Sequence, residues 1–104
     1  MLFLSHMKAK QLCTLSCPIA KVATLLSDTW TILIIRDLLS SSKRFSELLV
    51  SLNGISSRTL TLKLTRLQEM NMLTHKQTSY QLTAQGKKMS AIIKAMEQCG
   101  KQLP

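Results

Sequence analysis

The segment from residue 56 to residue 66 concentrates side chains that suit a polyanionic ligand. It carries serine and threonine hydroxyls, two arginines and a lysine, and it contains no acidic residue. An arginine can donate two hydrogen bonds to a phosphate or to the edge of a guanine, and hydroxyl groups can contact either partner. These residue types predict a nucleic-acid contact surface, whose predicted members are Ser56, Ser57, Arg58, Thr61, Leu62, Lys63, Thr65 and Arg66.

The charge of the whole chain agrees with a polyanionic partner. Its 104 residues include 14 Lys and Arg against 5 Asp and Glu, which gives a formal net charge of +9 at pH 7. Two other interpretations stay open: the charge serves solubility alone, or the basic segment is the solvated face of an ordinary amphipathic helix. The size of the excess in so short a chain favours double-stranded DNA as the partner.

The remaining chemistry-bearing residues do not form a catalytic or metal-binding pattern. The acidic residues fall on separate predicted elements, and the two histidines, His6 and His75, are far apart in the chain. No acid–base pair, nucleophilic triad or metal cluster follows from such an arrangement. We therefore predict that the protein is not an enzyme and uses no metal or cofactor.

The cysteines indicate a reducing compartment. The chain has three of them, and Cys13 and Cys17 have neither the spacing nor the neighbouring histidines of a zinc site. The longest aliphatic run, from Ile32 to Ile35, is far shorter than the roughly 20 residues that a membrane helix needs. The N-terminus also lacks the pattern of a secretory signal. We expect reduced thiols, no membrane insertion and a cytoplasmic location.

The elements that would position the basic segment are mainly helical. The isoleucines between Trp30 and Leu39 also fit a strand, but the length of the apolar stretch favours a buried helix. The first predicted helix runs from Pro18 to Leu26, and the second runs from Trp30 to about Leu39 and is capped by residues 27–29. A third helix is predicted to be capped by Ser46 and to end at Leu52. A turn with left-handed backbone at Asn53-Gly54 then leads to a fourth helix from Ser56 or Ser57.

The fourth helix divides its residues between two faces. Successive residues are rotated by about 100°, which places Leu60, Leu64 and Leu67 together on one side. That side is predicted to be buried. The residues predicted to lie exposed on the opposite side are Arg58, Thr61, Leu62 and Thr65.

A short hairpin and a long helix complete the chain. The hairpin is predicted around Thr78 and Ser79, and its His75 and Lys76, together with Arg44, are predicted to contact DNA, although His75 equally fits a solvent-facing turn. The final helix, from Ala84 to Leu103, presents an apolar stripe that a second copy of the chain would cover. The stripe, which is the predicted dimer interface, consists of Met89, Ile92, Ile93, Met96, Cys99 and Leu103.

The order of these elements predicts a winged helix-turn-helix, in which the fourth helix enters the major groove of DNA. The predicted fold class is mainly α with a small β-hairpin. Residues 1–12 are predicted to form a flexible N-terminal arm, and residues 13–104 are predicted to form the domain. A winged helix used for RNA or protein contact is the alternative, because this fold does not determine its ligand.

Three stretches resemble the HxlR-type, MarR-related transcription regulators of bacteria and archaea: CPIAKVATLLSDTWTILIIRDLL, KRFSELLVSLNGISSRTLTLKLTRLQEMNML and YQLTAQG. The matching positions, within about residues 17–100, are Cys17-Pro18, Trp30, Arg44 to Leu48, Gly54 to Ser56 and Leu82 to Gly86. The resemblance implies a homodimer that is held together by its N- and C-terminal helices and binds a pseudo-palindromic operator. Two positions depart from it: Ser27-Asp28-Thr29 replaces the usual Gly-Gly-Lys, and the wing lacks a longer segment with Pro and Arg.

The resemblance also implies a role for Cys17, because some family members sense oxidants or electrophiles through the cysteine of Cys-Pro. A thiol at a helix N-terminus has its thiolate favoured by the helix dipole. A small buried apolar residue is the other interpretation of Cys17. Cys13 is a resolving thiol only if the N-terminal segment bends back, and Cys99 is predicted to lie in the core or in the dimer interface.

Overall fold

The structure is a computed structural model that describes residues 17–104. The arm predicted for residues 1–12, His6 and the proposed resolving thiol Cys13 lie outside the described residues. The described part contains six helices and three strands, which are α1 (Pro18–Leu25), α2 (Thr29–Ser40), β1 (Lys43–Arg44), α3 (Phe45–Ser51), α4 (Ser57–Glu69), β2 (Leu73–Lys76), β3 (Ser79–Leu82), α5 (Ala84–Lys87) and α6 (Ser90–Lys101).

Helix α2 lies at the centre of the domain, as predicted from its apolar sequence. Asp28 caps its N-terminus by accepting a hydrogen bond of 2.9 Å from the backbone N–H of Thr31. Ile34 and Ile35 are completely buried, and α3, α4, β3 and α6 all pack against α2. Burial on several sides explains why its sequence shows no clear polar face.

Helices α3 and α4 and the turn between them form the helix-turn-helix. The prediction that Ser46 caps α3 is wrong: Arg44 is the N-cap, and its backbone N–H donates to the Glu47 carboxylate at 2.7 Å. Only Gly54 has a left-handed backbone in the turn, with φ of 100°, so the prediction for Asn53 is also wrong. A residue with a side chain would be strained at Gly54.

The wing is a three-stranded antiparallel sheet in the order β1-β3-β2. The predicted hairpin is present, and Leu73 pairs with Leu82 and Lys76 with Ser79. The sequence did not predict β1, whose residue Arg44 lies opposite Ser79. This third strand attaches the start of α3 directly to the wing.

The C-terminal helix is broken, contrary to the continuous helix predicted from Ala84 to Leu103. Helix α5 ends at Lys87, and α6 begins at Ser90. Gly86 in α5 lies so close to the Met72 carbonyl oxygen that a Cβ at this position would stand 2.1 Å from it. This close packing holds α5 against the hairpin, while α6 continues in contact with α2.

Within residues 17–104, no single helix is long and apolar enough to cross a membrane. Helices α1 and α2 meet the requirement only as a pair, by length and composition, with a bend of 91° between them.

Candidate nucleic-acid interface

Helix α4 is anchored through the leucines that its periodicity predicted to be buried. Leu60, Leu64 and Leu67 are at most 1% exposed and belong to the hydrophobic core. Ser56 caps the helix by accepting a hydrogen bond of 3.0 Å from the Thr59 backbone N–H. An N-terminal cap and three buried leucines fix the direction of α4 and thereby determine which side chains face outward.

The outward face of α4 is basic, hydroxylated and open to solvent. We use the name recognition face for its exposed residues Ser57, Arg58, Thr61, Leu62, Thr65 and Arg66. Leu62 is 60% exposed, which is unusual for a leucine in the middle of a helix that is otherwise well packed. The Thr61 hydroxyl donates to the Ser57 carbonyl at 2.9 Å, so its lone pairs remain available to a ligand. The face combines hydrogen-bonding groups with one apolar contact.

Lys63 occupies a different position from the other basic residues of α4. Its ammonium group forms an ion pair of 3.1 Å with the Asp28 carboxylate, and both side chains are partly buried, with 26% and 29% exposure. Burial raises the pKa of Asp28, but the hydrogen bonds from Thr31 and Lys63 outweigh it and hold that pKa below its ordinary value. Lys63 therefore lies at the edge of the recognition face with a charged partner of its own.

The wing carries the other residues predicted to contact DNA. Arg44, His75 and Lys76 are all exposed on the three-stranded sheet. The ring of His75 stacks on Tyr80, with 4.0 Å between ring centroids and 6° between ring planes. His75 is therefore positioned by an aromatic neighbour on the adjacent strand and is not a free turn residue.

The structure places Cys17 at the surface, as the N-cap of α1. The interpretation of Cys17 as a buried apolar residue is therefore wrong. Cys99 is also exposed, which excludes the core as its location in the described chain. No cluster of three or more potential metal ligands occurs within residues 17–104.

The predicted dimer stripe is partly buried at one end and exposed at the other. Met89 belongs to the core of its own chain at 7% exposure, and Ile92 and Ile93 are half-buried against that core. Met96 and Leu103 are 44% and 71% exposed. Beside this stripe, an apolar groove of about 460 Å³ runs between α1 and α6, and its lining residues are Pro18, Ile19, Val22, Ala23, Leu26 and Ile92.

Two polar contacts that organise the helix-turn-helix were missed by the sequence analysis. One is the Asp28–Lys63 pair, and the other is a hydrogen bond from the Ser51 hydroxyl at the end of α3 to the buried carboxylate of Asp37 on α2. The partners are 35 and 14 residues apart. A lone acid in the apolar sequence of α2 was the available signal, because a buried carboxylate needs a partner.

The fold and the recognition face define a class of protein, and comparison with known proteins identifies the family. Residues 25–103 match the family described as HxlR-like helix-turn-helix. The chain belongs to this family and is a winged-helix transcriptional regulator of the HxlR and MarR type.

Individual relatives agree with this assignment. An HTH-type transcriptional regulator from Synechocystis sp. is 34% identical over 91 residues, which cover 81% of this chain and 67% of the relative. The crystal structure of quinone-bound YodB from B. subtilis superposes with a TM-score of 0.78 at 28% identity, over 84% of this chain and 100% of that one. A MarR-family regulator from Porphyromonas gingivalis gives a TM-score of 0.80 at 28% identity, over 85% of this chain and 93% of its own.

Proposed function

We propose that the protein regulates transcription by binding, as a homodimer, to a pseudo-palindromic DNA operator. The observation that carries the proposal is the recognition face of α4, which is exposed and basic and has no acidic side chain between Ser57 and Arg66. In a winged helix-turn-helix, the second helix of the motif inserts into the major groove, where base edges can be distinguished by their donors and acceptors. The family assignment supports the same role.

The positions of the basic residues support a division of labour on DNA. Arg58 lies in the first turn of α4, where an inserted helix comes closest to base edges, and we assign it to base readout with Thr61 and Leu62. Arg66 lies in the last turn and suits a phosphate. Arg44, Lys76 and His75 on the wing would contact the backbone at the edge of the site. Ser56, Ser57 and Thr65 supply further hydroxyl contacts.

The apolar surface near the C-terminus supports dimerisation. Met96 and Cys99 on α6 and Leu103 just beyond its end are exposed, and the groove between α1 and α6 lies next to them. A contiguous apolar surface of this kind is more stable when a second copy covers it. Two recognition helices related by a two-fold axis would then read two half-sites.

A direct binding experiment separates this function from RNA contact by the same fold. Fluorescence anisotropy with labelled duplex DNA and with double-stranded RNA of equal length and sequence would compare the two ligands at one salt concentration. We expect tighter binding to the DNA, because the major groove of A-form RNA is too narrow to admit α4. Equal affinities, or preference for the RNA, would contradict the proposal.

We further propose that an oxidant or electrophile changes operator binding through Cys17. The exposure of this thiol at the start of α1, beside the apolar groove, supports the proposal, and YodB has been crystallised with quinone bound. In such a reaction the cysteine sulfur bonds to a ring carbon of the quinone, and the thiol proton passes to a quinone oxygen. Modification at this point would disturb the α1–α6 surface that we assign to the dimer.

The test compares quinone treatment of the wild-type protein with that of Cys17→Ser and Cys99→Ser variants. Operator affinity should change in the wild type and in Cys99→Ser, and it should stay constant in Cys17→Ser. An equal change in the wild type and Cys17→Ser would exclude Cys17 as the sensor.

A further inference from the structure

The ion pair between Asp28 and Lys63 connects the N-terminus of α2 to the edge of the recognition face. The Asp28 carboxylate accepts from the Thr31 backbone N–H and from the Thr31 hydroxyl, each at 2.9 Å, and from the Lys63 ammonium at 3.1 Å. Two of these three donors come from Thr31, so the carboxylate is oriented independently of Lys63. Lys63 therefore pairs with an oriented anion rather than with a mobile surface side chain.

The position of Lys63 explains why this pairing matters for DNA binding. On α4, Lys63 stands between the exposed Leu62 and the buried Leu64. Its side chain therefore leaves the helix at the border between the recognition face and the core. A lysine at this border would otherwise be free to neutralise a phosphate. To do so it must leave Asp28, and a half-buried carboxylate would then lose its charged partner.

The negative charge of Asp28 would also repel an approaching phosphate. Hydrogen bonds hold the pKa of Asp28 below its ordinary value, which is itself far below 7, so the carboxylate is ionised at neutral pH. A phosphate brought to Lys63 would meet this anion at short range. Both effects oppose the use of Lys63 as a general phosphate contact.

We infer that Asp28 limits the affinity of the protein for the DNA backbone, because it holds Lys63 away from the phosphates and so lowers the affinity for random sequence. This inference rests on the proposed function, because it assigns a role in DNA binding to a pair beside the recognition face. Base contacts distinguish an operator from random DNA, whereas each phosphate contact strengthens both complexes alike. Removing one phosphate contact therefore weakens binding to both kinds of sequence by a similar factor.

The experiment measures the salt dependence of binding to a random duplex for the wild type, Asp28→Asn, Lys63→Ala and the double variant. Asparagine can still accept the capping bond from Thr31, so Asp28→Asn removes the charge with little change to the cap. We expect Asp28→Asn to bind random DNA more tightly and to steepen the salt slope by about 0.9, the value for one additional phosphate contact. Lys63→Ala should keep the wild-type slope.

Two controls exclude a general effect of charge. In the Lys63→Ala background, Asp28→Asn should no longer steepen the slope, because no lysine is released. Glu69→Gln removes an exposed acid at the end of α4 that has no ion-pair partner within residues 17–104, and it should also leave the slope unchanged.

The outcomes distinguish this inference from the proposed function. A slope that falls by about one in Lys63→Ala would show that Lys63 already contacts a phosphate, and it would overturn the inference. An equal effect of Asp28→Asn with and without Lys63 would also overturn it. Absence of any sequence preference would instead contradict the proposed function, since the test of Asp28 uses random DNA alone.

Discussion

Arg58 is the side chain on which sequence readout by α4 is expected to depend most. It is exposed in the first turn and forms no ion pair within residues 17–104. Because its guanidinium can donate two hydrogen bonds to a guanine, Arg58→Ala should cost about 1 to 3 kcal/mol on a selected operator and much less on random DNA. Affinities measured on both duplexes check this expectation.

Arg66 offers a matched control for Arg58 on the same helix. It is an exposed arginine in the last turn, and we assign it to a phosphate. Arg66→Ala should weaken both duplexes by a similar factor and lower the salt slope by about one. An equal loss on both duplexes for Arg58→Ala as well would show that Arg58 is a phosphate contact.

Asp28 should make folding stability depend on acid pH. Its pKa is lower in the folded chain than in the unfolded one, so its stabilising contribution is complete above about pH 5 and is lost as pH falls through the folded pKa. Asp28→Asn should therefore be less stable than the wild type at pH 7, by at most about 1 kcal/mol because the pair is partly exposed. Urea unfolding between pH 7 and pH 2 measures this difference, which should shrink toward the acid end. A constant difference would exclude the ion pair as its cause.

At the scale of elements, the local sequence pattern was sufficient to predict α4 and its buried side, but it was not sufficient to predict the elements around α4. The spacing of Leu60, Leu64 and Leu67 predicted the buried side, because a helix repeats every 3.6 residues whatever it packs against. Strand β1 could not be predicted in this way, since two residues become a strand only by pairing with the distant Tyr80 and Ser79.

The break before α6 has the same origin in tertiary contact. The sequence from Ala84 to Leu103 is compatible with one continuous helix, and the close approach of Gly86 to the Met72 carbonyl is visible only in the folded chain. The candidate site also has one part that local sequence predicts and one part that it does not. The recognition face follows from helical period and residue type, whereas the Asp28–Lys63 pair depends on how α2 crosses α4.

Helix α6 should hold the dimer together through its exposed half. Met96 is preferable to Ile93 for a test, because Ile93 also packs on the core of its own chain. Met96→Glu should weaken the dimer at least about tenfold, since it places an unpaired charge in an apolar interface. Sedimentation velocity measures this change, with Gln98→Glu on the opposite side of α6 as control. A monomeric wild type at micromolar concentration would contradict the dimer.

At the scale of the whole molecule, the net charge and the shape of the domain have separate roles. A net charge of +9 attracts any nucleic acid, and this attraction weakens steeply with salt. In the function that we propose, sequence preference comes from the few side chains of α4 that would reach base edges. In a symmetric dimer, two copies of α4 would read half-sites about 34 Å apart, one turn of DNA.

Selection of bound fragments from a pool of random duplex DNA tests sequence readout by α4 most directly. The wild-type protein should enrich an inverted repeat with half-sites separated by about 10 base pairs, and Arg58→Ala should lose the preference at one position in each half-site. Enrichment of no common sequence at a salt concentration that permits binding, or an unchanged preference in Arg58→Ala, would contradict sequence readout by the outward face of α4.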